Sequence, residues 1–540
     1  MNIRVGVPMR VPETIDAIRK LVELNSTLRT GIFADQDGVA YQYLAGSGTI
    51  PVEVLEFPCS PGYLAVIESL PQVSMERPVG IVIAAVAELV EYVAVRLNHV
   101  VTDAWGFMRL KQQLESELHG NDGRVTASTP AGDKSRCAGN SSVDRADFES
   151  SDSGNELRRR ALEYAADQLR RCPQTMFPHR RLAPESPRYW NVELHSKALF
   201  AALGSLTAGT RMMLSTPIVG AFATIMSLHA SLATALVYVG SSNRFSRDWK
   251  DFTGPLFQEA IICIPIPRTT LRSLFTELNG RIPRMYRYAR CDPAALREQI
   301  REVELARGIC LDKVAASAMV NIVSDPVHIE APRSSPQKLH MLAQSSKITR
   351  SPRAVVDNLT FFLDVFINAP EVLLACRVDT EIVSLSEAEA ILRGLEKLLC
   401  TVVGDDIPTD QIAVLCPGIS RRADDATVEV DHCRISLADC RAAVNAIPAV
   451  RDSFMRLDER GETPALTAYV HVADRDLTVA RLRRAVVAEL APHGRAMAAH
   501  HYRLYGSRPA VFDDVSGWDR AELISAGCGR GTIRIRAATQ

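Results

Sequence analysis

The sequence lacks a continuous apolar run of bilayer length: its most apolar stretch, Val79 to Val101, is interrupted by Glu88, Glu91, Arg96 and Asn98, each costly in hydrocarbon. It also lacks an excess of either charge. With 62 Lys+Arg against 63 Asp+Glu the formal net charge is -1, which gives no attraction to a phosphate backbone or an anionic membrane surface, so neither nucleic acid nor membrane is an expected partner. None of the twelve cysteines, scattered from Cys59 to Cys528, forms a C-x-x-C pair or a compact framework, and they read as reduced, mostly buried thiols. Residues Met1 to Thr30 show no basic segment followed by an apolar core, so no secretory signal is expected and the expected location is cytoplasmic. His500-His501 has no partner at ligand spacing, and neither H-E-x-x-H nor G-x-S-x-G occurs, so neither a metal nor a serine nucleophile is expected. Gly527-Cys528-Gly529-Arg530-Gly531 follows no clear strand and lacks the P-loop lysine; it reads as a frayed terminus.

What is present is ordinary globular material, 47% hydrophobic and 23% charged over 540 residues, enough for about three domains. Periodicity predicts a helix over Pro12–Thr30, a strand at Gly31–Ala34, a turn over 35–38 and extended segments at Val39–Leu44 and Val52–Phe57. Val79–Ala87 and Tyr92–Leu97 read as neighbouring antiparallel strands, the second delivering His99 into a loop before a helix from near Trp105 to about Leu118. Residues 120–155 are polar, small and aperiodic, a flexible insertion or linker. Order resumes with a charged amphipathic helix over Glu156–Arg171, then a helix over Pro217–Leu232 with Thr216 as its N-cap. Strands at Leu236–Gly240, Ile261–Ile266, Val355–Val365 and Val372–Val378 and a helix over Ser386–Val403 complete an alternating α/β pattern. Beyond Asp405 the character changes: no lysine follows Lys397, and residues 421–531 carry a small α+β pattern of their own.

The chemically informative stretch is Leu97-Asn98-His99-Val100-Val101-Thr102-Asp103-Ala104-Trp105-Gly106. A histidine followed four residues later by aspartate, at the mouth of a strand, can present an imidazole to a substrate while the carboxylate turns inward to fix the loop. An H-x-x-x-D alone recurs by chance, and its weight comes from the segments around it. Taken in order, these resemble the condensation domain of nonribosomal peptide synthetases, a relative of chloramphenicol acetyltransferase. Leu24 to Thr30 is similar to that family's R-H-E-x-L-R-T signature with its L-R-T end kept, and Asn98 to Ala104 is similar to H-H-x-x-x-D-G, with asparagine for the first histidine and alanine for the glycine. Gly240-Ser241-Ser242-Asn243-Arg244-Phe245 and Thr253-Gly254-Pro255-Leu256-Phe257-Gln258 resemble later segments, with Gln258 where asparagine is usual. Tyr288–Pro293 and Asn321–Asp325 fall where further segments would.

The resemblance covers roughly residues 1–405. It implies an α/β fold of two chloramphenicol-acetyltransferase-like lobes, 1–175 and 176–405, with a tunnel between them. His99 would orient or deprotonate an acceptor amine as it attacks a thioester carbonyl; an α-amine with a pKa of about 8 is already partly unprotonated, so positioning matters as much as basicity. Asp103 would be structural, paired with the arginine of L-R-T, here Arg29, or with Arg244 in its place. Asn98, Ala104, Trp105, Gly106, Asn243, Arg244 and Gln258 would line the substrate tunnel. No cofactor would be bound; the phosphopantetheine arm would be presented by a partner peptidyl or acyl carrier protein, and the acceptor would be a small-molecule amine or alcohol.

The tail, 415–530, has a likeness of its own. Arg422 to Asp425, Val428 to Arg434 and Ile435 to Asp439 resemble the start of the small C-terminal subdomain of adenylation enzymes. The lysine those enzymes use in a G-K-x-D-R segment is missing from the nearest match, Ser516-Gly517-Trp518-Asp519-Arg520, so the tail is expected to be a relic or docking surface without ATP-dependent activation. The resulting expectation is a freestanding condensation enzyme of secondary-metabolite biosynthesis. Two alternatives stand beside it: an acyltransferase using acyl-CoA, and a catalytically silent interaction module.

Overall fold

A computed structural model describes residues 1–36, 40–119, 141–178, 182–311, 318–324, 333–353, 360–419, 427–459, 464–491, 494–509 and 511–529. The chain divides into two compact units, residues 1–157 with 241–258 and residues 158–240 with 259–540. Residues 241–258 belong to the first unit.

The first unit is built on a four-stranded sheet in the order Asn2–Arg4, Leu89–Leu97, Val79–Val86, Val52–Glu56, with the first two pairings antiparallel and the last parallel. The Val79–Val86 run is continuously apolar because both of its faces are buried. Ile81 and Ile83 pack with Ile18 and Leu21 of the helix Val11–Leu24 and with Leu110, Leu114 and Leu118 of the helix Ala104–His119, while Val82 and Ala84 pack against Val66 and Leu70. The expected helix over Pro12–Thr30 stops early. Asn25 is extended and its amide donates to Leu21 O at 2.8 Å, capping the helix, and Ser26–Arg29 continues as a single 3-10 turn before the strand Thr30–Ala34. Part of the expected insertion is ordered: Ser142–Ser150 and Asp152–Leu169 are helices, the first begun by a capping box between Ser141 and Asp144. Residues 120–140 lie outside those described, as do 37–39, Asp325, 354–359, 421–426 and 530–540.

The second unit carries a seven-stranded mixed sheet in the order Lys347–Pro352, Tyr189–Ser196, Glu371–Asp379, Phe361–Asn368, Ala318–Ser324, Thr234–Ser241, Gln258–Pro265. One face packs on the helices Lys197–Thr207, Ser215–Ala230 and Leu385–Gly404 through Val192, Leu194, Leu363, Val365, Leu374 and Cys376, and Phe361 stacks on Phe222 at 6.1 Å. Thr216 is not the N-cap expected of it: the helix starts at Ser215, and Thr216 Oγ1 donates instead to Asn279 Oδ1 at 3.1 Å. The C-terminal portion has its own four-stranded sheet, Val450–Asp458, Ala465–Val472, His501–Tyr505, Leu523–Gly527. It packs as part of the second unit. Buried Arg483 donates to Ala499 O at 2.6 Å and to Leu305 O and Ala306 O at 3.3 Å, the last carbonyls of the helix Pro293–Arg307, which have no partner within that helix. Arg307 in turn donates to Leu169 O, Cys172 O and Asp431 O. No helix among the described residues is long and apolar enough to cross a membrane.

Candidate active site

The strand Leu89–Leu97 ends at Asn98, whose N–H donates to Pro78 O at 2.8 Å. Asn98 then shapes the loop. Its side-chain oxygen accepts from Val100 N–H at 3.1 Å and its carbonyl from Val101 N–H at 3.2 Å, a local turn of the kind asparagine favours. Val101 is buried and its carbonyl accepts from Thr27 Oγ1. His99 stands between these anchors and is exposed, where the family resemblance implies an enclosed passage.

Asp103 closes the loop. It caps the helix Ala104–His119, with Oδ1 accepting from Gly106 N–H at 2.9 Å. Its Oδ2 accepts from Leu256 N–H at 2.8 Å, Phe257 N–H at 2.9 Å and Arg244 at 2.9 Å. The ion pair is buried, with side chains 5% and 2% exposed for Arg244 and Asp103. A buried pair is tolerated when its remaining hydrogen-bonding capacity is used, and here it is: Arg244 also donates to Phe252 O at 3.0 Å, Ser242 O at 3.0 Å and Gly254 O at 2.6 Å. One aspartate thus ties the histidine loop, the following helix and residues 242–257 together.

Further contacts seal the same junction. Thr102 Oγ1 donates to Thr253 O at 2.8 Å, and Thr253 Oγ1 donates to Asn25 Oδ1 at 3.0 Å. Asn25 also donates to Gln113 Oε1 on the helix at 2.8 Å. Gly106 permits the approach: a Cβ there would lie 2.1 Å from Thr253 O. Asn243 adopts φ +53°, a left-handed conformation that asparagine accepts, and its amide donates to Leu256 O at 2.8 Å and reaches Gln258 Oε1 at 3.5 Å. Trp249 packs edge-on to Phe252 at 5.5 Å between centroids and under Arg145 at 4.9 Å. Burial pulls the Arg145 guanidinium below its ordinary value, against the pull of Glu149.

The structure thus joins Asp103, Gly106, Asn243, Arg244 and Gln258 in one network, with Trp105 half-buried beside it and Ala104 exposed. Arg29 is not the partner of Asp103. Its NH1 donates to Ala45 O at 2.8 Å, just past the strand Ala40–Leu44 that pairs with Thr30–Ala34, while Arg244 and three backbone N–H groups occupy the aspartate. Asn25, Thr102, Gln113 and Thr253 were not singled out by sequence; Asn25, Thr102 and Thr253 lie inside segments that were quoted, but neutral polar residues carry no signal of their partners. Among the described residues no group of three or more His, Cys, Asp or Glu side chains is placed to hold a metal ion. Chemically, the arrangement presents an exposed imidazole on a loop pinned at both ends, able to hold or accept a proton from a bound substrate.

No protein-family model and no curated protein matches the sequence. Solved structures do match the fold. The condensation domain that mediates chain release from the enacyloxin polyketide synthase aligns with TM-score 0.53 and 14% identity over 80% of this chain and 79% of that one. A variant of the starter condensation domain of rhizomide synthetase, in complex with C8-CoA, aligns with TM-score 0.52 and 16% identity over 76% and 90%. The X-domain in complex with OxyB from teicoplanin biosynthesis aligns with TM-score 0.50 and 14% identity over 75% and 88%. The chain has the condensation-domain fold.

Proposed function

We propose that this protein is a condensation enzyme that joins an acyl or aminoacyl thioester, carried on the phosphopantetheine arm of a partner carrier protein, to a small-molecule amine or alcohol. The observation that carries the reading is the Asp103–Arg244 lock, which fixes one end of a short loop whose other end Asn98 anchors to Pro78, with the exposed His99 side chain between the two anchors. In the reaction the amine nitrogen attacks the thioester carbonyl, the C–N bond forms, the C–S bond breaks, and the thiol leaves with the proton given up by the amine. His99 holds the amine and relays that proton, and the lock keeps the imidazole from wandering during the attack. The reading requires a passage by which both substrates reach His99. A fold shared with chain-releasing and starter condensation domains supports it.

Intact-protein mass spectrometry of loaded carriers, incubated with this chain and a set of amines and alcohols, tests the reading. Loss of the acyl mass from the carrier with appearance of the conjugate supports it; turnover of a free acyl-CoA with no use of carriers would replace it with the acyltransferase reading, a possibility raised by the starter domain's complex with C8-CoA. A second reading, an interaction module without catalysis, is favoured by the X-domain found in complex with OxyB. Conjugate no more abundant with either the wild-type or the His99→Ala chain than in a protein-free control would select it. The tail is proposed as a docking or structural portion that activates no acyl group.

A further inference from the structure

The Asp103–Arg244 lock is oriented by a stretch of chain with no ladder to hold it. Residues 242–257 form neither helix nor strand, yet Arg244 depends on the directions of two of their carbonyls, Phe252 O for its Nε at 3.0 Å and Gly254 O for its NH2 at 2.6 Å. Where no regular hydrogen-bond pattern fixes a carbonyl, side-chain packing must. Two turns close within the stretch, Trp249 N–H donating to Ser246 O and Phe252 N–H to Trp249 O, both at 3.2 Å. Trp249 is 5% exposed and meets the Phe252 ring at 90° with centroids 5.5 Å apart, an edge-to-face pair. The Phe252 ring in turn lies against Gly254, where a Cβ would come within 2.4 Å of it. Trp249, Phe252 and Gly254 therefore form one packed series that ends on a carbonyl gripped by Arg244.

Two helices hold this series in place. Asp251 pairs with Arg109, one turn past Gly106 on the helix Ala104–His119. On the helix Ser142–Ser150, the Phe148 ring stands 6.5 Å from Trp249, and the Arg145 guanidinium lies 4.9 Å from the centre of the indole. That contact has a cost. The Arg145 side chain is 9% exposed, its Nε donates to Glu149 at 2.7 Å, and its NH1 is buried without a hydrogen-bond partner. Burial pulls this guanidinium down, Glu149 pulls it up, and the like charge of Arg244 adds to the downward pull. A pair with Glu149 alone could be made at the surface without these losses; what the buried position adds is the face of Trp249.

We propose that Trp249 is a positioning residue for His99: its ring, held by Arg145, sets the Phe252 and Gly254 carbonyls that orient Arg244, and through the Arg244–Asp103 pair it sets the histidine loop. That the imidazole so placed does chemistry rests on the condensing function proposed above; the placement itself does not.

Steady-state transfer from a loaded carrier, with the acceptor varied, tests this in the full chain. Trp249→Leu should lower kcat about 10- to 100-fold while the acceptor KM stays within about twofold, at a temperature where circular dichroism shows wild type and variant equally folded. Trp249→Phe, which keeps an aromatic edge for Phe252, should recover most of the loss. A residue that only adds stability would instead leave kcat per folded molecule unchanged, and that result, or Trp249→Phe as impaired as Trp249→Leu, overturns the proposal. A readout free of turnover separates it from the condensing reading. In chain carrying isotope-labelled histidine, the NMR signal lost in His99→Ala reports His99; it should move or split in Trp249→Leu while the histidine signals of the second unit stay in place. A wild-type chain without turnover removes the condensing reading and leaves the NMR comparison to decide, an unchanged His99 signal overturning the placement. Should Trp249→Leu fail to fold, Arg145→Met, which uncovers the indole but leaves it present, is read by the same two measurements with the same outcomes.

Discussion

Replacing Asp103 by alanine removes an acceptor shared by four donors: the N–H groups of Gly106, Leu256 and Phe257 and the Arg244 guanidinium. Asp103 is 3% exposed and Arg244 8%, so little water can reach the charge left behind. Breaking a buried pair from one side costs roughly 3–5 kcal/mol, and the orphaned amides act in the same direction without adding in full. Against a native stability of about 5–15 kcal/mol that is a large share. For a unit of this size each kcal/mol lowers Tm by about 2–4 °C, so a fall of roughly 6–20 °C is expected for Asp103→Ala. Arg244→Met should also destabilise, because it leaves the carboxylate unpaired. The double variant carries no orphan charge, and its loss should be smaller than the sum of the single losses by about 1–3 kcal/mol. Urea unfolding followed by tryptophan fluorescence reads this, since Trp105 and Trp249 both lie in the unit concerned. Single variants within about 0.5 kcal/mol of wild type, or losses that simply add, would refute the argument that the pair is a buried, coupled lock.

Two further outcomes follow from the structure. Gly106→Ala places a methyl group 2.1 Å from Thr253 O, and because the obstacle is backbone, the helix and residues 253–257 must separate; a loss of about 1–3 kcal/mol or more in thermal melts is expected, and an unchanged Tm would contradict the close approach. Burial alone would push the Glu387 carboxyl up, but hydrogen bonds from His229 and from the Ser384 hydroxyl and N–H outweigh it and hold it to about 2, below the ordinary 4.5. A depressed value in the folded state means stabilisation that is complete above about pH 4.5 and lost as pH falls towards 2. Glu387→Gln should flatten Tm against pH in that window, and parallel curves for variant and wild type would contradict the linkage.

Much of the framework was legible because strong periodicity and burial coincide. The runs at 79–86 and 89–97 alternate or fill with apolar residues as their burial requires, and the histidine loop falls where their ends predict. Residues 141–155 were misread because small and polar residues look like a linker; the Ser141–Asp144 capping box was the available helix signal. The Asp103 partner turned on a choice that sequence cannot make. Arg29 and Arg244 are equally charged, and only the fold shows that the turn before Thr30 sends Arg29 to Ala45 while Arg244 arrives among carbonyls that fix its orientation. Asn25 and Thr253 act across 228 residues of sequence separation, and such neutral pairs leave no local pattern. Two buried arginines join the tail to the rest of the second unit, Arg483 through the helix-end carbonyls of Leu305 and Ala306 and Arg307 through Asp431 O, contacts that no spacing rule anticipates.

The central claim is that a loop locked by Asp103 and Arg244 presents His99 for amide or ester formation. Single-turnover acyl transfer from a loaded carrier, timed by intact mass for wild type and His99→Ala, tests it most directly. The account predicts a transfer rate lower by roughly 10²–10⁴-fold in His99→Ala with an unchanged Tm. An equal rate in a folded His99→Ala chain would contradict it.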